Sequence, residues 1–190
     1  MITSKIYGVS ENFLPNHVCS DIIKRASELS ILEGETGGGI DKKTRNSRIT
    51  WMNDPWIFDW ITPFVNEVNN FLNWNFNILF PENIQFTRYT ENQFYNWHTD
   101  IHVDPSLTHH RKISVVIPLK DENEYEGGDL EFVDPCISPE SGKEKIIKKP
   151  EFRKKGSLVV FPSYTWHRVT KVTKGERLSI VVWYLGEKFK

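Results

Sequence analysis

The run "SLVVFPSYTWHRVTKVTKGERLSIVVWYL", residues 157–185, decides the architecture. Its two ends, "SLVVF" and "RLSIVVWYL", are apolar, rich in β-branched and aromatic residues and too short for globular helices, so each reads as a strand. Between them stands a single histidine, His167, just after the first strand and just before the second. The same grammar extends toward the N-terminus as far as residue 84, in "IQFTRY", "QFYNWH", "KISVVIPL" and "DLEFV". Six short strands divided by turns indicate a sandwich or closed barrel. Within this half "DENEYEGGDL" reads as a hairpin connection, with Gly127 and Gly128 available for backbone angles that other residues avoid. The lysine-rich "ISPESGKEKIIKKPEFRKKG" reads as a long hairpin or insertion whose charges form a solvated face.

The first 80 residues follow a different pattern. In "PNHVCSDIIKRASEL", Pro15 suits a first helical turn, and Val18, Ile22, Ile23 and Leu29 fall close to one helical face. A loop with three consecutive glycines, Gly37 to Gly39, and a short strand at "SRITWM" follow. A second helix is expected from Asp54, as N-cap before Pro55, with Ile57, Trp60, Ile61, Phe64, Val68, Phe71 and Leu72 at spacings of three and four.

At 190 residues the chain has room for one sizeable core, so a single domain spanning 1–190 is expected. With 38% hydrophobic and 26% charged residues and a net charge of -1, nothing draws it toward nucleic acid or anionic lipid. No apolar run reaches the ~18 residues of a membrane span, and the N-terminal "MITSKIYGVS" lacks a signal-peptide pattern. A cytoplasmic location is expected. The two cysteines, Cys19 and Cys136, show neither disulfide-framework nor thiolate-zinc spacing, so any metal would sit among nitrogen and oxygen ligands.

Such ligands are concentrated in "YNWHTDIHVD", residues 95–104. Side chains two apart on a strand share a face, so His98 and Asp100 project together and can chelate. A third ligand must come from elsewhere in the chain. His17 opens the first helix, where solvent exposure is expected, and His109 and His110 fall in the loop before the next strand. His167 is the better choice. Two histidines and one carboxylate on one face of an ion, with the other positions open, suit non-haem Fe(II) more than zinc. Tyr95 and Trp97 lie on the opposite parity to His98 and read as a packed sheet face. Asp104, before Pro105, reads as the start of a turn, and His102 as a non-ligand.

Ten residues beyond His167, Arg177 opens a strand on which Arg177, Ser179, Val181 and Trp183 share a face. An arginine turned inward there needs an anion, and its planar fork matches a carboxylate in two parallel hydrogen bonds. The plain alternative is a strand-end arginine reaching solvent or an internal Asp.

Taken together, "YTENQFYNWHTD", "EGGDLEF" and "GSLVVFPSYTWHRVTKVTKGERLSIVVWY" resemble the prolyl 4-hydroxylase-like superfamily of Fe(II)- and 2-oxoglutarate-dependent dioxygenases, most closely its PKHD-type hydroxylases. The resemblance covers residues 84–186 and implies a mainly β fold, a double-stranded β-helix or jelly roll, supported on one face by N-terminal helices within residues 1–80. It implies that His98, Asp100 and His167 ligate Fe(II). Arg177 would grip the distal carboxylate of 2-oxoglutarate with help from Tyr89 and Ser179, and Trp183 would line the same pocket. The implied reaction hydroxylates a C–H bond of a protein residue, prolyl among the options, or of a small molecule. Succinate and CO2 are released, and ascorbate serves as a reductant. One departure from the family pattern is the turn between Tyr89 and Tyr95, where Asn92 or Gln93 replaces the usual glycine. Asn tolerates left-handed angles, so only a small change of the loop is expected.

Sister activities fit less well. Iron halogenases leave the carboxylate position empty, and here Asp100 fills it. Nucleic-acid demethylases carry a second arginine six residues after the first, where this chain has Trp183. A non-catalytic cupin-like module would be expected to have lost one of the four site residues, and a zinc hydrolase would need a general base that is not evident. The cleft rim is expected from residues 33–43, 101–111 and 137–155.

Overall fold

The computed structural model describes residues 2–36, 39–101, 106–134 and 145–189. In chain order the elements are β1 (Ile2–Ser4), β2 (Tyr7–Ser10), α1 (Asn16–Ser27), β3 (Leu32–Glu33), β4 (Arg45–Asn46), β5 (Arg48–Met52) and α2 (Pro55–Phe71). There follow β6 (Phe80–Pro81), β7 (Ile84–Tyr89), β8 (Phe94–His98), β9 (His109–Pro118), β10 (Tyr125–Gly127) and β11 (Leu130–Val133). The last are β12 (Ile146–Ile147), β13 (Leu158–Pro162), β14 (His167–Val169), β15 (Val172–Gly175) and β16 (Arg177–Glu187).

Among the described residues these strands form a large antiparallel sheet in the order β1-β2-β13-β9-β16-β7-β5-β3, with β6 beside the end of β16. A smaller sheet runs β12-β11-β14-β8-β4, and β10 pairs with β15 as a separate ribbon. The two sheets face each other as a jelly roll, and both helices pack on the outer face of the larger one.

Strict alternation in the large sheet produces this layering. Along β16, Leu178, Ile180, Val182 and Tyr184 join a core with Val18, Ile22 and Ala26 of α1 and Ile57, Ile61, Val65 and Val68 of α2. The intervening Arg177, Ser179, Val181 and Trp183 turn to the interior between the sheets. β7 divides in the same way, with Ile84 and Phe86 toward the helices and Gln85, Thr87 and Tyr89 inward. Each fully buried aliphatic side chain contributes roughly 1.5–3 kcal/mol, so two apolar layers specify the register of this sheet strongly.

One end of the interior is filled by aromatics. Tyr7, Phe132, Phe152 and Phe161 are buried and pack at ring separations of 4.9 to 5.9 Å. The other end is polar, and His167 marks the boundary, with its ring 4.7 Å from that of Phe161.

Several sequence expectations require correction. The first 80 residues also supply strands to both sheets, including β2 on the edge of β13 and β4 on the edge of β8. "DENEYEGGDL" is not a hairpin, because β10 pairs with β15 and the chain crosses from the large sheet to the small one. Gly127 and Gly128 do take positive φ, +69° and +63°, and at Gly128 a Cβ would press within 3.0 Å of the Arg177 side chain. His109 and His110 belong to β9, because β16 continues to Glu187 and offers pairing partners as far as Glu187↔His109. Asp54 precedes α2 but its carboxylate makes no cap bond, accepting instead from Arg25 Nε at 3.0 Å.

Other expectations agree with the structure. Asn92 takes φ +66° in the turn that lacks the glycine. Part of the lysine-rich segment returns as β12 against β11. His17 is exposed on α1. His102, Asp104, Cys136, Gly37 and Gly38 lie outside the described residues.

Candidate active site

His98 ends β8 and His167 begins β14, and the two are register partners across the small sheet. Their rings lie 4.1 Å apart. Each ring is oriented by its own backbone, with Nδ1 2.7 Å from the Asn96 carbonyl in His98 and 2.8 Å from the Thr165 carbonyl in His167. A carbonyl only accepts, so in both rings the proton sits on Nδ1 and the Nε2 lone pair is left for a ligand.

Asp100 completes the cluster. Its Oδ1 lies 3.6 Å from His98 Nε2 and its Oδ2 3.5 Å from His167 Nε2. One ligand atom from each of the three residues falls within 4.8 Å of the others, close enough for all three to hold a metal ion. Asp100 is anchored through its N–H to the Ser163 carbonyl at 2.9 Å, and its Oδ2 accepts from Ser114 Oγ at 2.7 Å.

The electrostatics suit a cation. Burial raises the Asp100 carboxyl pKa, but His167, His98 and Arg111 outweigh burial and hold it well below the usual carboxylate range. Burial, reinforced by His98, pulls His167 down to about 4 despite the nearby Asp100. At neutral pH the cluster therefore presents an anionic carboxylate and a neutral His167, the states from which metals are bound.

Arg177 enters the same cavity from β16, opposite Tyr89 of β7 in register, and is 2% exposed. Its Nη1 donates to Ser179 Oγ at 2.8 Å, and its guanidinium lies 5.6 Å from the centre of the Tyr89 ring. Nη2 is buried and has no hydrogen-bond partner among the described residues. A buried guanidinium with an unsatisfied donor costs several kcal/mol unless an anion meets it. The free donor, with Tyr89 of the neighbouring strand beside it, fits a carboxylate ligand such as the distal end of 2-oxoglutarate, and the Nε2/carboxylate donor set fits Fe(II). Ser179 serves the arginine rather than standing apart from it. Trp183 lines the same cavity, and its buried Nε1 likewise has no hydrogen-bond partner among the described residues.

Tyr95 overturns the parity expectation. The β8–β14 ladder pairs His98 with His167 and Tyr95 with Val169, so three steps on β8 match two on β14. This bulge switches the parity, and Tyr95 faces inward together with His98. Their rings stack at 3.5 Å and 11°, and Arg45 lies 4.7 Å above the tyrosine ring. Trp97 stays on the other face, half-buried under Arg168.

The cavity shares residues with a cleft of about 390 Å³ whose walls include Glu35, Thr36, Trp51, Tyr95, Ile101, Arg111 and Trp183. Two of the three expected rim segments contribute, while no described residue of 145–155 does. Arg111 is held rigid, paired through Nε and Nη2 with Glu82 at 2.7 Å each and stacked 3.7 Å over Trp183. Arg45 is buried and donates to Ser47, the Glu35 carbonyl and Gln85. The sequence reading missed Arg45, Gln85, Arg111 and Ser114. Gln85, Thr87 and Ser114 did leave a signal, as polar residues at inward positions of otherwise apolar strands; Arg45, on a two-residue strand, left none.

A family model described as the 2OG-Fe(II) oxygenase superfamily matches residues 84–185. A PKHD-type hydroxylase of Shewanella frigidimarina is 33% identical over 102 residues, covering 52% of this chain and 41% of that one. This chain thus spans about two fifths of the length of the curated relatives it matches. Among solved structures, the viral collagen prolyl hydroxylase of Paramecium bursaria Chlorella virus 1, in its 2OG complex, aligns with TM-score 0.68 at 23% identity over 95% of this chain and 96% of that one. A Trichoplax adhaerens prolyl hydroxylase, in complex with a hypoxia inducible factor oxygen degradation domain peptide fragment, aligns with TM-score 0.74 at 16% identity over 95% and 84%. At these identities the alignments speak for a shared jelly-roll fold, and with the family match over more than half of the sequence the chain belongs to the 2OG-Fe(II) oxygenase superfamily.

Proposed function

We propose that this chain is a single dioxygenase domain that uses Fe(II) and 2-oxoglutarate to hydroxylate a C–H bond. The substrate is a protein residue, with prolyl the first to test, or a small molecule. The observation that carries the reading is the buried, unsatisfied Nη2 of Arg177 in the cavity that also holds the His98, Asp100 and His167 cluster. A binding module that had lost catalysis would have no reason to keep both.

In this reading His98 and His167 offer Nε2 and Asp100 a carboxylate oxygen to the ion. Arg177, fixed by Ser179 and flanked by Tyr89, binds the distal carboxylate of 2-oxoglutarate. When bound, the iron supplies the redox chemistry by which O2 oxidises 2-oxoglutarate to succinate and CO2 and delivers the remaining oxygen atom as hydroxyl to substrate carbon. Tyr95 and Arg45 keep the His98 ring from turning. Trp51, Trp183 and Arg111 wall the cleft and orient the substrate beside the ion.

Ascorbate is the proposed external reductant. A chain with two cysteines and no disulfide framework is in keeping with a reducing, cytoplasmic compartment. Among the described residues, no helix is long and apolar enough to cross a membrane.

The test is release of CO2 from carboxyl-labelled 2-oxoglutarate by protein loaded with Fe(II), with ascorbate, in the presence of prolyl peptides and of small-molecule pools. Turnover that Asp100→Ala abolishes is the expected result. Iron-loaded protein that never consumes 2-oxoglutarate would overturn the proposal.

A further inference from the structure

Ser114 is the one hydroxyl in the run Ile113 to Pro118 of β9, and it is completely buried. Its neighbours Val115, Val116 and Ile117 show what packing alone selects there. A buried hydroxyl costs about 1–3 kcal/mol when it lacks a partner, so its presence calls for a specific bond. The bond it makes is to Asp100. Ser114 Oγ donates to Oδ2 at 2.7 Å, and Ser163 Oγ, also fully buried, lies 3.0 Å from Ser114 Oγ. A hydroxyl carries one proton and an ionised carboxylate only accepts. Ser114 therefore donates to Asp100, and Ser163 donates to Ser114.

The backbone closes the arrangement. Asp100 N–H donates to the Ser163 carbonyl at 2.9 Å, and Ser163 N–H donates to the Lys112 carbonyl at 2.9 Å. The main chain and the side chain of Asp100 are thus both tied to the β9–β13 pair, where Pro162 stands opposite Ile113. Oδ2 accepts the serine bond, and both oxygens border ligand nitrogens, Oδ1 at 3.6 Å from His98 Nε2 and Oδ2 at 3.5 Å from His167 Nε2.

We infer that Ser114, backed by Ser163, is a positioning residue that fixes the rotation of the Asp100 carboxylate. The inference rests on the reading of His98, Asp100 and His167 as a metal site. A carboxylate free to rotate could turn both oxygens toward an ion and take up a coordination position that the reaction needs open. The serine chain opposes that rotation through its bond to Oδ2. Partners that orient metal ligands in this way commonly account for about 10–100-fold in metal affinity or activity.

The experiment uses Co(II) alone, whose visible absorption reports coordination number as well as occupancy, on the full chain and on Ser114→Ala, Ser163→Ala and Ser114→Thr. Thermal unfolding of each metal-free protein runs alongside. Ser114→Ala is expected to bind Co(II) about 10–100-fold more weakly, with a changed band intensity. Ser163→Ala should shift both readouts in the same direction by less, and Ser114→Thr should restore them. Metal-free melting temperatures should not follow this order, as they would if the serines served packing alone. Wild-type affinity and an unchanged spectrum in Ser114→Ala overturn the inference. If that variant does not fold, the same result in Ser163→Ala, whose backbone bonds are untouched, does so. Wild-type protein that binds no Co(II) would instead bring down the metal reading itself.

Discussion

In the large sheet, β16 and β9 pair residue for residue from Ser179↔Pro118 to Tyr184↔Ile113, whereas in the small sheet β8 and β14 fit three residues against two between Tyr95 and His98. The two strand pairs build opposite walls of one cavity by different means. Regular alternation delivers Arg177, Ser179, Val181 and Trp183 to the interior, spaced by two. The bulge delivers Tyr95 and His98, spaced by three, and so lets a ligand ring rest on an aromatic ring of its own strand. The regular wall suits the recognition of an elongated anion, and the bulged wall suits holding an imidazole still.

The contrast is broken most severely by deleting Asn96, which removes the extra residue. With the ladder made regular, Tyr95 and His98 can no longer both face inward, since a one-residue shift sends side chains to the other face. Metal binding should vanish while circular dichroism still shows a folded sheet. Persistent binding would mean that the bulge is incidental.

Arg177→Ala probes the regular wall. Removing one partner of a buried charge pair costs about 2–5 kcal/mol, so 2-oxoglutarate should bind tens to thousands of times more weakly while metal affinity changes little. Calorimetric titration of each ligand separates the two effects.

A smaller effect distinguishes the walls by pH. Folded His167 is held at about 4 against 6.5 for the free side chain, so between these values the unfolded chain takes a proton that the folded one refuses. Stability of the metal-free protein should be fully present above about pH 6.5 and fall toward pH 4, by on the order of 3 kcal/mol from this residue. Asp100, whose carboxyl is depressed, adds a loss in the same direction at still lower pH. Urea unfolding across this range should show the slope, and His167→Asn should flatten it. The smallest change is expected at the turn before β8. There Asn92 holds φ +66°, and Asn92→Ala should cost about 1 kcal/mol in the same assay, whereas Asn92→Gly should be tolerated.

The two walls were also unequally legible. Arg177, Ser179 and Trp183 could be assigned to a common inward face because β16 alternates between two dissimilar environments, helices on one side and cavity on the other. The same rule failed at Tyr95, because a bulge leaves no mark in the residues that form it. It also failed to find β10 with β15, and the strands β3, β4, β6 and β12, since pairs of two or three residues are fixed by tertiary contacts and not by periodicity. His109 and His110 precede the apolar run of their strand, and the sequence places them in the loop before it. They extend β9 because β16 supplies hydrogen-bond partners whatever their side chains are. His98, Asp100 and His167 were nominated from residue type and spacing, and the structure brings them within reach of one ion.

The central claim is that both walls serve one site, with metal on the bulged side and keto acid on the regular side. The most direct test is an anaerobic titration with Fe(II) and 2-oxoglutarate, following the weak visible absorption of a keto acid bound to iron, in wild type and in His167→Ala. The account predicts a band in the wild type that needs both ligands and is absent from the variant. Iron bound without any band, or a band that survives His167→Ala, would contradict it.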